Sequence, residues 1–324
     1  MAALRGKALV AYLLVCVFWG STYLAIRIGV AELPPFLFAG LRFVVAGALL
    51  GTGALVFGDR LPRDRDAWRT NAIVGVLLFA GGNAFVVWAE QFTPSGVASV
   101  FVVTVALWMA FFDASLPGGR ATLGWRVVVG LAIGFVGSTL LVGATPREMV
   151  AADLRGPVAL TLASASWALG SVYYKRHPSD VSPYVAAAMQ MVAGGAVVSL
   201  GGLALGEAAV WRFSARGLGA MAYLTVFGSI VGFTAYVYAL RHAPATIVGT
   251  YAYVNPIIAV LLGWLLLHED VTGRTFAAMT LILGAVGWIQ LAHRRGETRT
   301  PAAAPDRAPV VPHPAAARER GLVG

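Results

Sequence analysis

Residues 8–27 read ALVAYLLVCVFWGSTYLAIR, and the first nineteen of them carry no charge. A helix needs about 20 mostly apolar residues to cross the hydrocarbon core of a bilayer, so this stretch predicts a transmembrane helix. Arg5 and Lys7 precede it, as basic residues precede a signal peptide. The run is longer than a usual signal core, however, and it carries Trp19 and Tyr23 where small residues would surround a cleavage site. We therefore expect a first helix that is retained.

Nine further stretches of this kind follow along the 324-residue chain. Hydrophobic residues make up 58% of the sequence and charged residues 12%, against roughly 45–50% and 25% in soluble domains. The runs are too long and too irregular for the strands of a membrane barrel. The sequence therefore predicts an all-α polytopic membrane protein. Its ten candidate spans are approximately 8–27, 35–57, 71–91, 94–116, 124–143, 157–175, 183–205, 217–240, 244–267 and 274–292.

The net charge of +9 is carried mainly by arginines in the short connections between spans. Cytoplasmic loops of membrane proteins are enriched in Arg and Lys, so this pattern predicts that both termini are cytoplasmic, in the cell membrane. This loop pattern also accounts for the positive net charge, so we do not expect the protein to bind nucleic acid. Residues 293–324 are rich in Ala, Pro and Arg and lack periodicity, which predicts a disordered basic cytoplasmic tail. Such a tail either rests on lipid headgroups or has no role.

The two halves of the chain resemble each other weakly. A shift of 148 residues aligns Trp19 with Trp167 and Pro35 with Pro183. Each half holds five spans, and because five is odd, the second half enters the membrane from the opposite side. We therefore predict two inverted five-helix repeats, residues 1–143 and 157–292. Many secondary transporters have this plan, with a substrate site near the midplane and alternating access to it.

Ionisable residues inside a bilayer are functional candidates by default, and the spans offer Arg42, Glu90 and Asp113 as such candidates. Arg42 and Glu90 both fall in the outer half of the membrane and could form a pair, either as a gating or coupling element or as a static packing contact. Asp113 lies near the cytoplasmic end of the fourth span, where it predicts an ion pair with Arg120 or Arg126. Proton coupling is the alternative role for Asp113.

Polar residues share a helix face in several spans, as Asn83 and Glu90 do with Val87 between them. Each stripe faces either a cavity or a neighbouring helix through interhelical hydrogen bonds. Together with aromatic residues in the spans, the stripes favour a lined cavity for small amphipathic or cationic solutes. The candidate pathway residues are Trp19, Asn83, Glu90, Trp108, Ser164, Trp167, Ser229, Tyr236, Thr250, Tyr253 and Asn255.

Four short motifs occur in a fixed order along the chain: Phe18-Trp19-Gly20-Ser21, Pro34-Pro35 with Arg42, Ala89-Glu90-Gln91 with Ser95-Gly96, and Tyr253-Val254-Asn255-Pro256 with Gly263 and His268-Glu269. In these motifs the chain resembles the drug/metabolite transporter superfamily, specifically its EamA-type members. The resemblance implies a cavity built from the first, third, fourth, sixth, eighth and ninth spans, and proton coupling with Glu90 as the best local candidate. Ala106 and Gly119 depart from the pattern, so the two halves are not equivalent.

These observations predict a secondary active transporter of small metabolites or drugs, amino-acid-like or amphipathic and cationic, that acts as an exporter by alternating access. An uptake or facilitative carrier on the same fold is the alternative. A membrane-embedded enzyme is disfavoured because no pair of catalytic groups occurs at membrane depth. Phosphorylated substrates would need several convergent cations, and the spans offer only Arg42. We expect no metal or other cofactor, and the chain acts as a monomer or as an oligomer that the sequence does not specify.

Overall fold

The computed structural model describes residues 6–93, 98, 101–116, 124–142, 155–178, 180–267 and 272–297. These residues contain no strand, which confirms the all-α class. Single-turn helices at Glu207–Val210 and Ala245–Gly249 precede two of the long helices. The ten long helical segments are α1 Lys7–Glu32, α2 Pro35–Val56, α3 Arg65–Ala89, α4 Val105–Ser115, α5 Trp125–Val142, α6 Arg155–Arg176, α7 Pro183–Ala204, α8 Ala215–His242, α9 Tyr251–Leu267 and α10 Gly273–Glu297.

Local sequence explains where several helices begin. Pro35 and Pro183 occupy the first position of α2 and α7, where the missing N–H of proline costs no hydrogen bond. The hydroxyl of Ser182 accepts a hydrogen bond from the Val185 backbone N–H over 3.2 Å, and so caps α7. Ser214 caps α8 in the same way.

The outer surface of the bundle is apolar, as a lipid-facing surface must be. Leu13 on α1 is 51% exposed, Leu49 on α2 is 58% exposed and Leu200 on α7 is 64% exposed. Within the described residues, α1, α2, α3, α7 and α8 are long and apolar enough to cross a membrane. The protein is therefore a multi-pass membrane protein, while the number of ten crossings stays a prediction.

The predicted disordered tail needs one correction. Helix α10 continues to Glu297, so residues 293–297 are helical rather than disordered. The helix carries on past the end of the apolar run because Arg294 and Arg295 are good helix formers. The rest of the predicted tail, residues 298–324, lies outside the described residues.

Corresponding helices of the two halves pack against each other through small residues. Helix α2 contacts α7, and α5 contacts α10. A Cβ atom at Gly47 would lie only 2.8 Å from the Ala188 carbonyl oxygen. In the second pair, a Cβ atom at Gly130 would lie 2.6 Å from Ile289 Cγ1. The high glycine content therefore permits close approach of paired helices.

The first helix of each half packs against the middle helices of the other half. Helix α1 contacts α8 and α9, and α6 contacts α3 and α4. The two halves therefore share one core, and any space between these helices is lined by residues of both.

Helices α3 and α8 each contain a π-helical segment, at Val76–Asn83 and Leu224–Phe233. The two segments begin 148 residues apart, which is the offset of the sequence repeat. Each offers a backbone carbonyl to the first helix of the other half: Ser166 Oγ donates to Leu77 O over 2.8 Å, and Trp19 Nε1 donates to Gly228 O over 2.9 Å. π-Helical turns are rare and occur frequently at functional sites.

Candidate functional site

A cavity of about 740 Å³, its mouth included, lies between α1, α2, α3, α6, α8 and α9 and the start of α4. All six spans implied by the family resemblance contribute to it, and α2 adds Arg42 and Phe43. The structure brings together seven of the predicted site residues in its lining: Trp19, Arg42, Asn83, Ser164, Trp167, Ser229 and Asn255. Five further aromatic lining residues are not among the predicted site residues: Tyr23, Phe43, Phe79, Phe233 and Tyr251. Tyr23 follows Trp19 by one helical turn, so that spacing could have identified it.

An aromatic cluster forms the deep wall of the cavity. The ring centroids of Trp19 and Trp167 are 5.4 Å apart, and Tyr251 lies 4.9 Å from Trp19. Tyr236 lies directly behind these rings, 5.0 Å from Trp19. Its hydroxyl accepts a hydrogen bond from Trp167 Nε1 over 3.0 Å and lies 2.6 Å from Ser171 Oγ. Tyr236 therefore positions the Trp167 ring, although it does not itself line the cavity.

Arg42 is the one charged side chain among the described lining residues. It is 2% exposed, its Nη2 donates to Asn83 Oδ1 over 2.9 Å, and its guanidinium lies 4.1 Å from the centre of the Phe43 ring. The predicted pair with Glu90 is wrong. Asn83 lies seven residues before Glu90 on α3, about 10 Å deeper along the helix. It accepts the hydrogen bond from the guanidinium instead.

Glu90 lies at the end of α3, outside the lining. Neither carboxylate oxygen accepts a hydrogen bond within the described part of the chain. Its electrostatic neighbours are Arg27 and Tyr23, both on α1. Of these two neighbours, Tyr23 lines the cavity.

Three other predicted pathway residues also lie outside the cavity and contact neighbouring groups. The Thr250 hydroxyl lies 2.9 Å from the Tyr12 hydroxyl, and the Tyr253 hydroxyl donates to Leu131 O over 3.0 Å. Trp108 stacks on Phe112 within α4, with 5.8 Å between ring centroids. Thr250 and Tyr253 therefore make hydrogen bonds to neighbouring helices, which was the alternative interpretation of the polar stripes.

Beyond the aromatic wall, basic residues of α6 and α8 form hydrogen bonds between neighbouring helices. Lys175 lies on α6 about 12 Å beyond Trp167, and its Nζ donates to the carbonyl oxygens of Leu240, over 2.9 Å, and Ala243. These bonds join α6 to the connection between α8 and α9. Arg241 on α8 donates through Nε to the Tyr174 hydroxyl over 2.6 Å. We call this set of contacts the closed end.

Asp113 also belongs to the closed end. Its carboxylate lies 3.6 Å from Arg176 Nη2, and the same nitrogen donates to the Asp113 carbonyl oxygen over 2.7 Å. An ion pair was predicted at this position, but its partner is on α6 rather than in the adjoining loop. Arg120, one predicted partner, lies outside the described residues. Among the residues that are described, no three His, Cys, Asp or Glu side chains come together to hold a metal ion.

A family model described as the EamA-like transporter family matches the chain twice, over residues 6–143 and 154–291. The chain belongs to the EamA-like transporter family. The uncharacterized inner membrane transporter YedA of Escherichia coli (strain K12) is 38% identical over 276 residues, which cover 85% of this chain and 88% of the relative. The uncharacterized transporter YvbV of Bacillus subtilis (strain 168) is 26% identical over 285 residues, covering 87% and 90%.

The EamA-like fold is also found among solved crystal structures. One of them is 24% identical in sequence and matches with a TM-score of 0.72, covering 90% of this chain and 100% of its own. At this identity the match shows the fold alone. Membership of the family confirms the resemblance seen in the sequence motifs and makes the protein a membrane transporter.

Proposed function

We propose that this EamA-like protein is a secondary active transporter that exports small amphipathic solutes by alternating access through the cavity. The observation that carries this proposal is that the cavity is partly open, lined by both halves of the chain, and separated from the closed end by an aromatic wall. The solute binds between the aromatic rings and the polar groups. Alternating access then requires the closed end to open while the mouth of the cavity closes.

Movement between the halves, residues 1–143 and 157–292, supplies this exchange in our proposal. Helices α1 and α6 each pack on the middle helices of the other half, so a rotation of one half alters both ends of the pathway together. Cationic solutes, which the sequence suggested, suit the lining poorly, because among the lining residues that the structure describes the one charge is the Arg42 cation.

The direct test is reconstitution of the purified chain into liposomes. Uptake or release of radiolabelled amino acids, small organic acids and amphipathic amines is measured with and without an imposed proton gradient. We expect at least one class to move against its own gradient when a proton gradient is present. Movement only down the solute's own gradient would identify a facilitative carrier, and failure of every class under every gradient would contradict transport.

Proton coupling gives a separate prediction for Glu90. Because its buried carboxylate accepts no hydrogen bond in the described part of the chain and Arg27 and Tyr23 of α1 are its electrostatic neighbours, Glu90→Gln should lower proton-driven transport by about tenfold, within the usual range of coupling energies. Expression should not change, because glutamine keeps the shape of the side chain. Glu32→Gln, at an exposed residue at the end of α1, is the matched control. Normal proton-driven transport by the Glu90 variant would remove Glu90 from the mechanism.

A further inference from the structure

We propose that the transported solute carries an anionic group, a carboxylate in the simplest case, which binds to Arg42 while its apolar body lies against the aromatic wall. This inference rests on the proposed transport function and specifies its substrate class.

The first argument is the charge of Arg42. Its guanidinium stays protonated in proteins, it is 2% exposed, and it forms no ion pair with a carboxylate among the described residues. A buried charge without a counter-charge is strongly unfavourable. The contacts with Asn83 and Phe43 compensate only part of that cost, because neither partner carries a charge. An anionic ligand would supply the missing counter-charge.

The second argument is the supply of unused donors. Arg42 Nε is buried and has no hydrogen-bond partner in the described part of the chain, and the Ser229 hydroxyl is in the same state. Both residues line the cavity. Asn83 accepts a hydrogen bond only from Nη2 of Arg42. It therefore orients the planar guanidinium, and the other nitrogens of Arg42 stay available for a carboxylate. Guanidinium and carboxylate groups are matched for such paired, charge-assisted hydrogen bonds.

The third argument concerns what surrounds the cation. The rings of Trp19, Phe43, Phe79, Trp167 and Phe233 line the cavity, and they favour a planar or branched apolar body. A positively charged group on the solute would find no acidic side chain among the described lining residues. Glu90, the nearest acidic candidate, lies outside the lining with Arg27 as its electrostatic neighbour.

The test compares three probes of matched length: hydrocinnamate, its uncharged amide and phenylpropylamine. Binding to the purified full-length chain is followed by quenching of tryptophan fluorescence, since Trp19 and Trp167 line the cavity. We expect hydrocinnamate to bind about ten- to a hundredfold more tightly than the amide, as charge-assisted hydrogen bonds predict, and the amine to bind most weakly. Arg42→Gln should abolish the preference for the acid over the amide. Arg42→Lys should retain part of it, because lysine keeps the charge but loses the paired geometry.

The control variant is Arg69→Gln, which removes one exposed positive charge near the start of α3 and should leave all three affinities unchanged. Equal or tighter binding of the amine, a preference for the acid that survives in Arg42→Gln, or absence of binding by all three probes would each overturn the proposal. If Arg42→Gln does not fold, the proposal is tested by the order in which the unmodified chain binds the acid, the amide and the amine. Liposomes that transport the amide or the amine without preference for the acid would contradict the anionic substrate but not the transport function. Failure to transport any solute of the panel would contradict both proposals.

Discussion

Replacing Gly194 by alanine is expected to lower the free energy of unfolding by about 3 kcal/mol or more, at the upper end of the cost of overpacking. A Cβ atom at this position on α7 would overlap the carbonyl oxygen of Gly75 on α3 and would lie 2.7 Å from Phe79 Cβ. Gly75 is equally constrained, because a Cβ atom there would overlap the carbonyl oxygen of Gln190. Backbone atoms cannot rotate away as a flexible side chain would, so the two helices must separate. That separation would also disturb the buried hydrogen bond of 2.7 Å between Gln190 and Asn71.

The measurement is the thermal unfolding of the detergent-purified variant, together with its yield from membranes. Gly201→Ala is the matched control, since Gly201 lies on the same helix and, apart from the backbone of that helix, no atom of the described residues would come within 4 Å of its new Cβ. The control should keep or slightly raise the melting temperature, because alanine favours helix over glycine. A Gly194→Ala protein with an unchanged melting temperature would show that α3 and α7 do not approach this closely.

Replacing Lys175 by methionine is expected to increase the rate at which N-ethylmaleimide labels Cys16 by about tenfold or more. Lys175 donates to Leu240 and Ala243, and a hydrogen bond from a charged donor contributes about 1.5–3 kcal/mol. Cys16 is 1% exposed and does not line the cavity. Its labelling therefore reports how often the closed end opens, because a locally opened population sets the reaction rate.

Lys7→Met is the matched control for this experiment, because Lys7 is the only other lysine in the sequence and is exposed at the start of α1. Its labelling rate should equal that of the unmodified chain. Complete labelling of each protein in denaturant confirms that the thiol is reactive. If Lys175→Met and the unmodified chain react at the same rate, Lys175 does not hold the closed end together.

Much of the fold follows from features that act locally. Uncharged runs of about 20 residues locate the helices, and Pro35 and Pro183 mark the starts of α2 and α7. Several cavity residues were also predictable, because aromatic and polar side chains such as Trp19 and Asn83 have no reason to face lipid.

The features that escaped prediction depend on partners that are distant in the sequence. Asp113 pairs with a residue 63 positions away on α6, rather than with an arginine of its own loop. Arg42 was assigned to the nearest carboxylate, whereas the packing of α2 on α3 offers it Asn83. The prediction of polar stripes assumed a constant α-helical period. This assumption fails in α3 and α8, because each contains a π-helical segment.

The π-helical segments of α3 and α8 have a consequence for how the length of the chain can vary. In a regular α-helix, loss of one residue rotates everything beyond it by about 100° and would misdirect a whole span. A π-helical turn already holds an additional residue relative to an α-helical one, so a deletion within Val76–Asn83 or Leu224–Phe233 can be absorbed by a return to α-helical hydrogen bonding. These two segments are therefore the places where a span can lose a residue while both of its ends keep their neighbours.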